Sequence, residues 1–322
     1  AEGATIFQSC PGLENRMTTW RNQDPRYLAH EFLNEDWNLY RFADVAKAMG
    51  DAKCTFVGSA SMLENIDGFC QPPGIATMAA ETSDTVLRES LRDVGTSRSF
   101  RRDLFRRGSA PMGVAEHWAH LVDWRFVSTA AAIPEELSFN VPRGKMTIQG
   151  DLHPSMLQAA LQGPFSVGQL STLPPRRDQA LPQALQALAL LAENGQLHPA
   201  MPGGDSAAAL ASAAGFNRAA SDAVSLGGNT AYWAVPGIGS AISLDLLAMA
   251  AARAVADKPG ATVADVAVAI QRDLAKADRS VLREGQPITD PEAALVVLAD
   301  TARQFLAERA PILRRLGGLG AA

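Results

Sequence analysis

Two groups of residues have types and spacings that could do chemistry. The first is Tyr27, His30 and Glu31, followed at short distance by Trp37 and Tyr40. Polar and aromatic groups crowded onto one short segment can wall a substrate cleft, and an aromatic wall can hold a lysine ammonium by cation–π attraction. The competing reading is a polar network that fixes the entry of a domain, with Trp37 and Tyr40 in its core. The second group is a run of arginines. Residues 88–107 carry Arg88, Arg92, Arg98, Arg101, Arg102, Arg106 and Arg107 against Glu89, Asp93 and Asp103, an excess of four positive charges with no lysine. Arginine favours bidentate pairing with carboxylates and phosphates. Arg98, Arg101, Arg102, Arg106 and Arg107 are therefore candidates for docking an acidic protein, a nucleic acid or a partner domain. The competing reading is an internal salt-bridge network with a solvated face.

The remaining motifs point away from catalysis by this chain. His117 and His120 with Glu116 share a helical face, but no third ligand suggests itself, so no metal site is expected. Cys10, Cys54 and Cys70 form no Cys-x-x-Cys pair, which disfavours zinc and a disulfide framework. There is no Gly-x-Ser-x-Gly nucleophile elbow. A class I S-adenosylmethionine (SAM) site needs a glycine-rich turn after its first strand, where the backbone approaches the ligand. The nearest mimic, Pro236-Gly237-Ile238-Gly239-Ser240-Ala241-Ile242, lacks the third glycine and a surrounding βαβ unit, so it reads as a wing-to-helix turn. No catalytic, cofactor-binding or metal residue is expected.

The elements that must position these groups fall into an α+β, mostly helical pattern. With 47% hydrophobic and 20% charged residues, the 322-residue chain reads as globular and not disordered. Residues 1–125 form a mixed domain with a strand at Thr55–Ser59 and a helix near Ser83–Asp93, capped by Ser83. Residues 126–150 form a strand-rich connector that includes Trp124–Val127 at its entry and Lys145–Ile148, punctuated by Pro134, Pro142 and Gly144. Residues 151–322 form a winged-helix-like and helical domain. Its helices are predicted at Pro154–Leu161, Ser166–Leu173 and Asp178–Asn194, the last ended by Gly195 and the second stopped by Pro174-Pro175. A strand at Gln196–His198 follows, with Tyr232–Val235 as a second wing strand. Further helices are predicted at about 206–224, 240–256, 262–277 and 290–310. The last part is Ala-rich, which favours helix.

A net charge of −5 disfavours an extended nucleic-acid surface. The 178–194 helix carries Asp178 and Glu193 and no basic residue of its own, with only Arg176-Arg177 before it, so nucleic acid is not the expected partner. No apolar run approaches the roughly 18 residues of a membrane span. No signal peptide is visible, and a cytoplasmic location is expected. The start at Ala1 fits either removal of an initiator Met or a fragment of a longer protein.

One set of blocks carries a family resemblance. Tyr27-Leu28-Ala29-His30-Glu31-Phe32-Leu33-Asn34-Glu35-Asp36-Trp37 is followed by Phe42-Ala43-Asp44-Val45 and Phe56-Val57-Gly58-Ser59-Ala60. Leu63-Glu64-Asn65, Leu87-Arg88-Glu89 with Arg92-Asp93, and Phe100 to Gly108 complete the order. This succession resembles the predicted methyltransferase regulatory domain. Asn194–Ala200 and Phe305–Arg309 extend the likeness to the family's downstream region. The stretch Gly95–Ser99 departs from the family, which has an asparagine-containing polar stretch there.

The resemblance implies a region that follows a class I SAM-binding domain in the same polypeptide, as in outer-membrane-protein lysine methyltransferases of intracellular bacteria. On that reading, SAM belongs to the full-length parent and not to this chain. The partners implied are the SAM-binding domain and a protein substrate, with protein lysine as methyl acceptor, and the chain alone is inactive. Two alternatives stand beside it: a winged-helix regulator that binds nucleic acid, and a homodimerisation module built on the Ala-rich helices.

Overall fold

In the computed structural model, residues 5–10, 12–108, 112–141, 143–172, 181–225, 230–283, 286–288 and 290–320 are described. The chain is mostly helical, with several small antiparallel sheets. Pro142, Pro174, Pro175, Arg176, Arg177 and Asp178, used above to bound elements, lie outside the described residues.

The N-terminal part is organised by a two-stranded ribbon. Cys54–Ser59 pairs antiparallel with Asp103–Arg107, with a register shift between Phe56 and Gly58. The expected strand at Thr55–Ser59 is present, and its partner is a strand that the charged Asp-Leu-Phe-Arg-Arg pattern concealed. Phe56 and Phe105 face each other across the ribbon and meet Phe42 from the Phe42–Asp51 helix, with ring centroids 5.0–6.4 Å apart. Thr85–Thr96 is helical, and its N-cap is Asp84, not Ser83: the Asp84 carboxylate accepts from Leu87 N at 2.7 Å. Ahead of the ribbon, the Leu13–Arg21 and Pro25–Phe32 helices bury none of their residues.

The middle of the chain is built on a three-stranded antiparallel sheet. Arg125–Ser128 lies at its centre, between Phe165–Ser166 and Leu197–Pro199. Side chains alternate across a strand, and this strand uses both faces. Phe126 joins a core with Met156, Leu157, Leu190 and Leu191 from the Leu152–Gln162 and Leu181–Glu193 helices. Its neighbour Val127 joins the C-terminal core. The helix expected at Ser166–Leu173 is instead a two-residue strand followed by a 3-10 turn, Val167–Thr172. Val167 N and Gly168 N donate instead to Trp124 O and Val122 O at 2.8 and 2.9 Å, and a Cβ at Gly168 would lie 2.9 Å from Val122 Cγ2, so this turn is tied to the segment before the central strand. The connector also contains a hairpin, Ser138–Val141 with Gly144–Thr147.

The wing assignment is corrected. Thr230–Val235 does not pair with Leu197–Pro199; it forms a six-residue antiparallel ladder with Ser240–Asp245. The same ladder corrects the helix expected from residue 240. Ser240–Asp245 is a strand, and the helix begins only at Leu246 with Asp245 as its cap, the carboxylate accepting from Ala248 N at 2.8 Å. Pro236–Gly239 is therefore a strand-to-strand turn, not a wing-to-helix turn. The helix predicted from residue 262 opens with a capping box, Asp265 Oδ2 accepting from Thr262 N at 2.7 Å and Thr262 Oγ1 from Asp265 N at 3.2 Å.

The C-terminal core closes on Trp233, which is 1% exposed and donates from Nε1 to Gly318 O at 2.8 Å. Asn217, also buried, accepts from Ala234 N at 2.6 Å and donates to Ala234 O at 3.0 Å. Removing that amide strands two backbone groups away from water. Asn217→Ala is expected to lower stability by about 1–3 kcal/mol, read as a shift in the urea midpoint of the C-terminal transition; an unchanged midpoint contradicts this role.

Candidate functional site

The aromatic segment is positioned by a capped helix. Asp24 accepts from Arg26 N at 2.7 Å and Pro25 opens the first turn, so Pro25–Phe32 starts sharply. Tyr27, His30 and Glu31 then fall at i, i+3 and i+4, on one face. All three are exposed, Tyr27 by half. Trp37 and Tyr40 follow beyond the helix and are 54% and 72% exposed. The reading that placed them in the core is thereby corrected. Phe32 stacks obliquely on Trp20 at 5.3 Å, the one ring contact this arm makes within the described residues. Leu33 and Leu39 are more than three quarters exposed. Tyr27, Phe32, Leu33, Trp37, Leu39 and Tyr40 thus expose apolar surface close together in sequence on one short arm.

The arginines divide into two sets. Arg92, Arg98 and Arg101 turn inward. Arg92 grips Asp67 with two nitrogens, at 2.8 and 3.0 Å, and reaches Glu89 at 2.6 Å. Arg101 donates to Glu89 at 3.0 Å, to both Asp103 oxygens at 2.7 and 2.9 Å, and to Asp93. Its guanidinium carbon also lies 4.3 Å from the centre of the Phe42 ring. Arg98 approaches Glu64 at 3.5 Å and Asp93 at 3.7 Å. Burial opposes the charge on Arg101, but Asp103, Glu89 and Asp93 more than offset it and hold the guanidinium above its ordinary value. Burial raises the Asp93 carboxyl, with Arg101 opposing. Every donor nitrogen of Arg101 is committed to a carboxylate, so Arg101 knits the fold and leaves no free fork for an outside anion.

Arg102, Arg106 and Arg107 turn outward and are exposed. Arg102 donates to Ser61 Oγ at 2.7 Å. Arg106 and Arg107 sit opposite Thr55 and Cys54 at the end of the ribbon. None of the three has a carboxylate partner among the described residues. His117 and His120 lie exposed on the Val114–Leu121 helix, and no cluster of metal-ligating side chains occurs among the described residues.

Sequence reasoning missed Ser61, Glu64, Asp67 and Phe42 as partners of the arginines. No local spacing links residue 67 to residue 92; only the fold does. Two glycine and asparagine positions were visible without a reason. A Cβ at Gly58 would lie 2.9 Å from Asn65 Oδ1, which accepts from Ser59 N at 2.8 Å. Asn65 also donates to Ser59 O at 2.9 Å, so its side chain extends the edge of the ribbon.

The glycine-rich loop does not fit SAM. Gly237 N donates to Leu316 O, and Gly237 O accepts from Met201 N, both at 2.8 Å. A Cβ at Gly237 would meet the Leu316 backbone at 2.9 Å. Gly237 makes room for the chain's own C-terminal turn and Gly239 for Met201, and the Gly237 backbone is already committed to other segments of the chain.

Comparison with known proteins agrees with this architecture. Residues 24–107, from the cap of the aromatic helix to the end of the ribbon, match the family described as the predicted methyltransferase regulatory domain. Over 314 residues the chain is 27% identical to the uncharacterized protein sll1526 of Synechocystis, covering 98% of this chain and 61% of that protein. The structure of PKMT2 from Rickettsia typhi in complex with AdoHcy aligns over 96% of this chain and 64% of that one, with a TM-score of 0.58 at 16% identity. A second PKMT2 structure gives a TM-score of 0.56 at 15% identity, over 97% of this chain. The chain thus spans about three fifths of the length of the relatives it matches.

Glu89 is the test of the inward set, since its side chain is 3% exposed and bridges Arg92 and Arg101. Glu89→Ala is expected to cost about 3–5 kcal/mol. Arg106→Ala and Arg107→Ala are expected to cost about 0.5 kcal/mol or less each. Amide exchange in the Thr85–Thr96 helix and the ribbon under increasing urea checks this ordering, and equal effects of the three variants contradict it.

Proposed function

We propose that this chain, which carries a methyltransferase regulatory domain, is the accessory and substrate-shaping region of a SAM-dependent methyltransferase. It does not bind SAM itself; a separate SAM-binding domain of the same enzyme supplies the methyl donor. The observation that carries the proposal is the exposed arm inside the matched region. Tyr27, Trp37 and Tyr40 are half or more exposed, at the start of a domain whose relatives are longer than this chain. The arm would pack on the SAM-binding domain and form one wall of the acceptor cleft.

The methyl acceptor in this reading is a protein lysine. Tyr27, Trp37 and Tyr40 offer aromatic faces to the ammonium, and Glu31 offers a carboxylate beside them. Arg102, Arg106 and Arg107 would hold acidic groups of the substrate or of the partner domain. A cytoplasmic location is part of the proposal; no helix among the described residues is long and apolar enough to cross a membrane.

Calorimetric titration tests the division of labour. SAM titrated into the 322-residue chain is expected to give no saturable heat. Tight stoichiometric SAM binding to this chain alone would overturn the proposal.

A further inference from the structure

The C-terminal part encloses a cavity of about 640 Å³ that the aromatic arm and the ribbon do not touch. That volume lies within the range of small-molecule sites. One part of its lining is apolar: Leu210, Trp233, Leu316 and Leu319. Trp233 is held in place by its bond to Gly318 O, and Gly317 reaches this turn with φ +75°, in the left-handed region that favours glycine.

The charged part of the lining is unbalanced. Arg218, Arg253, Arg314 and Arg315 open onto the cavity against Asp205 and Asp257. Arg253 is neutralised, with Asp257 at 2.7 Å and Asp222 at 3.2 Å. The other three arginines form no ion pair among the described residues. Arg315 Nη1 donates to Ala130 O at 2.7 Å and to Ser128 O at 3.2 Å, both neutral carbonyls. Arg314 Nη2 donates to Pro259 O at 3.3 Å, while its Nε is buried with no partner. Burial pulls the Arg315 guanidinium below its ordinary value, with no carboxylate to oppose it. A desolvated cation with only neutral acceptors is costly, and an anion at the cavity would relieve that cost.

We propose that this cavity is a binding site for a small anionic molecule with an apolar body, a carboxylate or phosphate ester whose head meets Arg218, Arg314 and Arg315 and whose tail lies against Trp233 and Leu316. The site is separate from the acceptor cleft proposed above and stands whether or not that reading holds.

Calorimetry on the 322-residue chain with octanoate, octyl phosphate and octanol tests it. At least one of the two anions is expected to bind one-to-one, about tenfold or more tighter than octanol; the tighter anion identifies the head group. Arg218 is exposed and its side chain makes no ion pair among the described residues, so Arg218→Ala is expected to keep the fold and to weaken the anion by about tenfold. Ala214→Trp, at an exposed lining position, is expected to block binding, with a thermal melt confirming that the variant is folded. Binding of neither anion, octanol binding equal to both, or anion binding unchanged in both variants would overturn the proposal.

Discussion

The N-terminal half of this structure hangs on one buried carboxylate. Glu89 is almost fully enclosed, and its charge is tolerable only because Arg92 and Arg101 sit on its two oxygens. Arg92 carries the connection on to Asp67. Arg101 carries it to Asp93, to Asp103 and, through its flat face, to Phe42. One helix, one ribbon and the turn around Asp67 are thereby locked in a single arrangement. The directional geometry of guanidinium pairing sets that arrangement more tightly than apolar contact alone would. Having fixed the ribbon, the network also fixes what points away from it: Arg102, Arg106 and Arg107 face solvent because their neighbours were drawn inward.

This division explains how far the sequence could be read. The arginine run was conspicuous, but nothing in its spacing separates Arg92, Arg98 and Arg101, which turn inward, from Arg102, Arg106 and Arg107, which face solvent. The acids that complete the network, Glu64 and Asp67, lie some two dozen residues upstream, beyond any local spacing rule. The family blocks were legible for a physical reason that the structure supplies. Gly58 and Asn65 belong together because the Asn65 side chain continues the ribbon edge and a Cβ at residue 58 would strike it. The Ala-rich helices were readable from propensity, whereas Ser240–Asp245 was read as helix because its strand partner lies across a turn. The aromatic arm was singled out by residue type alone, yet exposure depends on what packs against it, and sequence pattern said nothing of that.

The two cores meet at a single strand. Phe126 and Val127 are adjacent, point to opposite faces, and belong to different apolar clusters. Arg315 bonds the end of this strand through Ser128 O and also lines the C-terminal cavity. A ligand there would act on the same strand that anchors the middle core, which gives a remote site a physical route toward the rest of the chain.

The central claim is that the Trp20–Tyr40 arm is one half of an interface whose other half is a SAM-binding domain. Hydrogen–deuterium exchange of these amides measures it directly, comparing the 322-residue chain with a polypeptide that also carries that domain. The account predicts fast exchange across the arm in the chain alone and strong protection when the SAM-binding domain is present. Equal, fast exchange in both would contradict it.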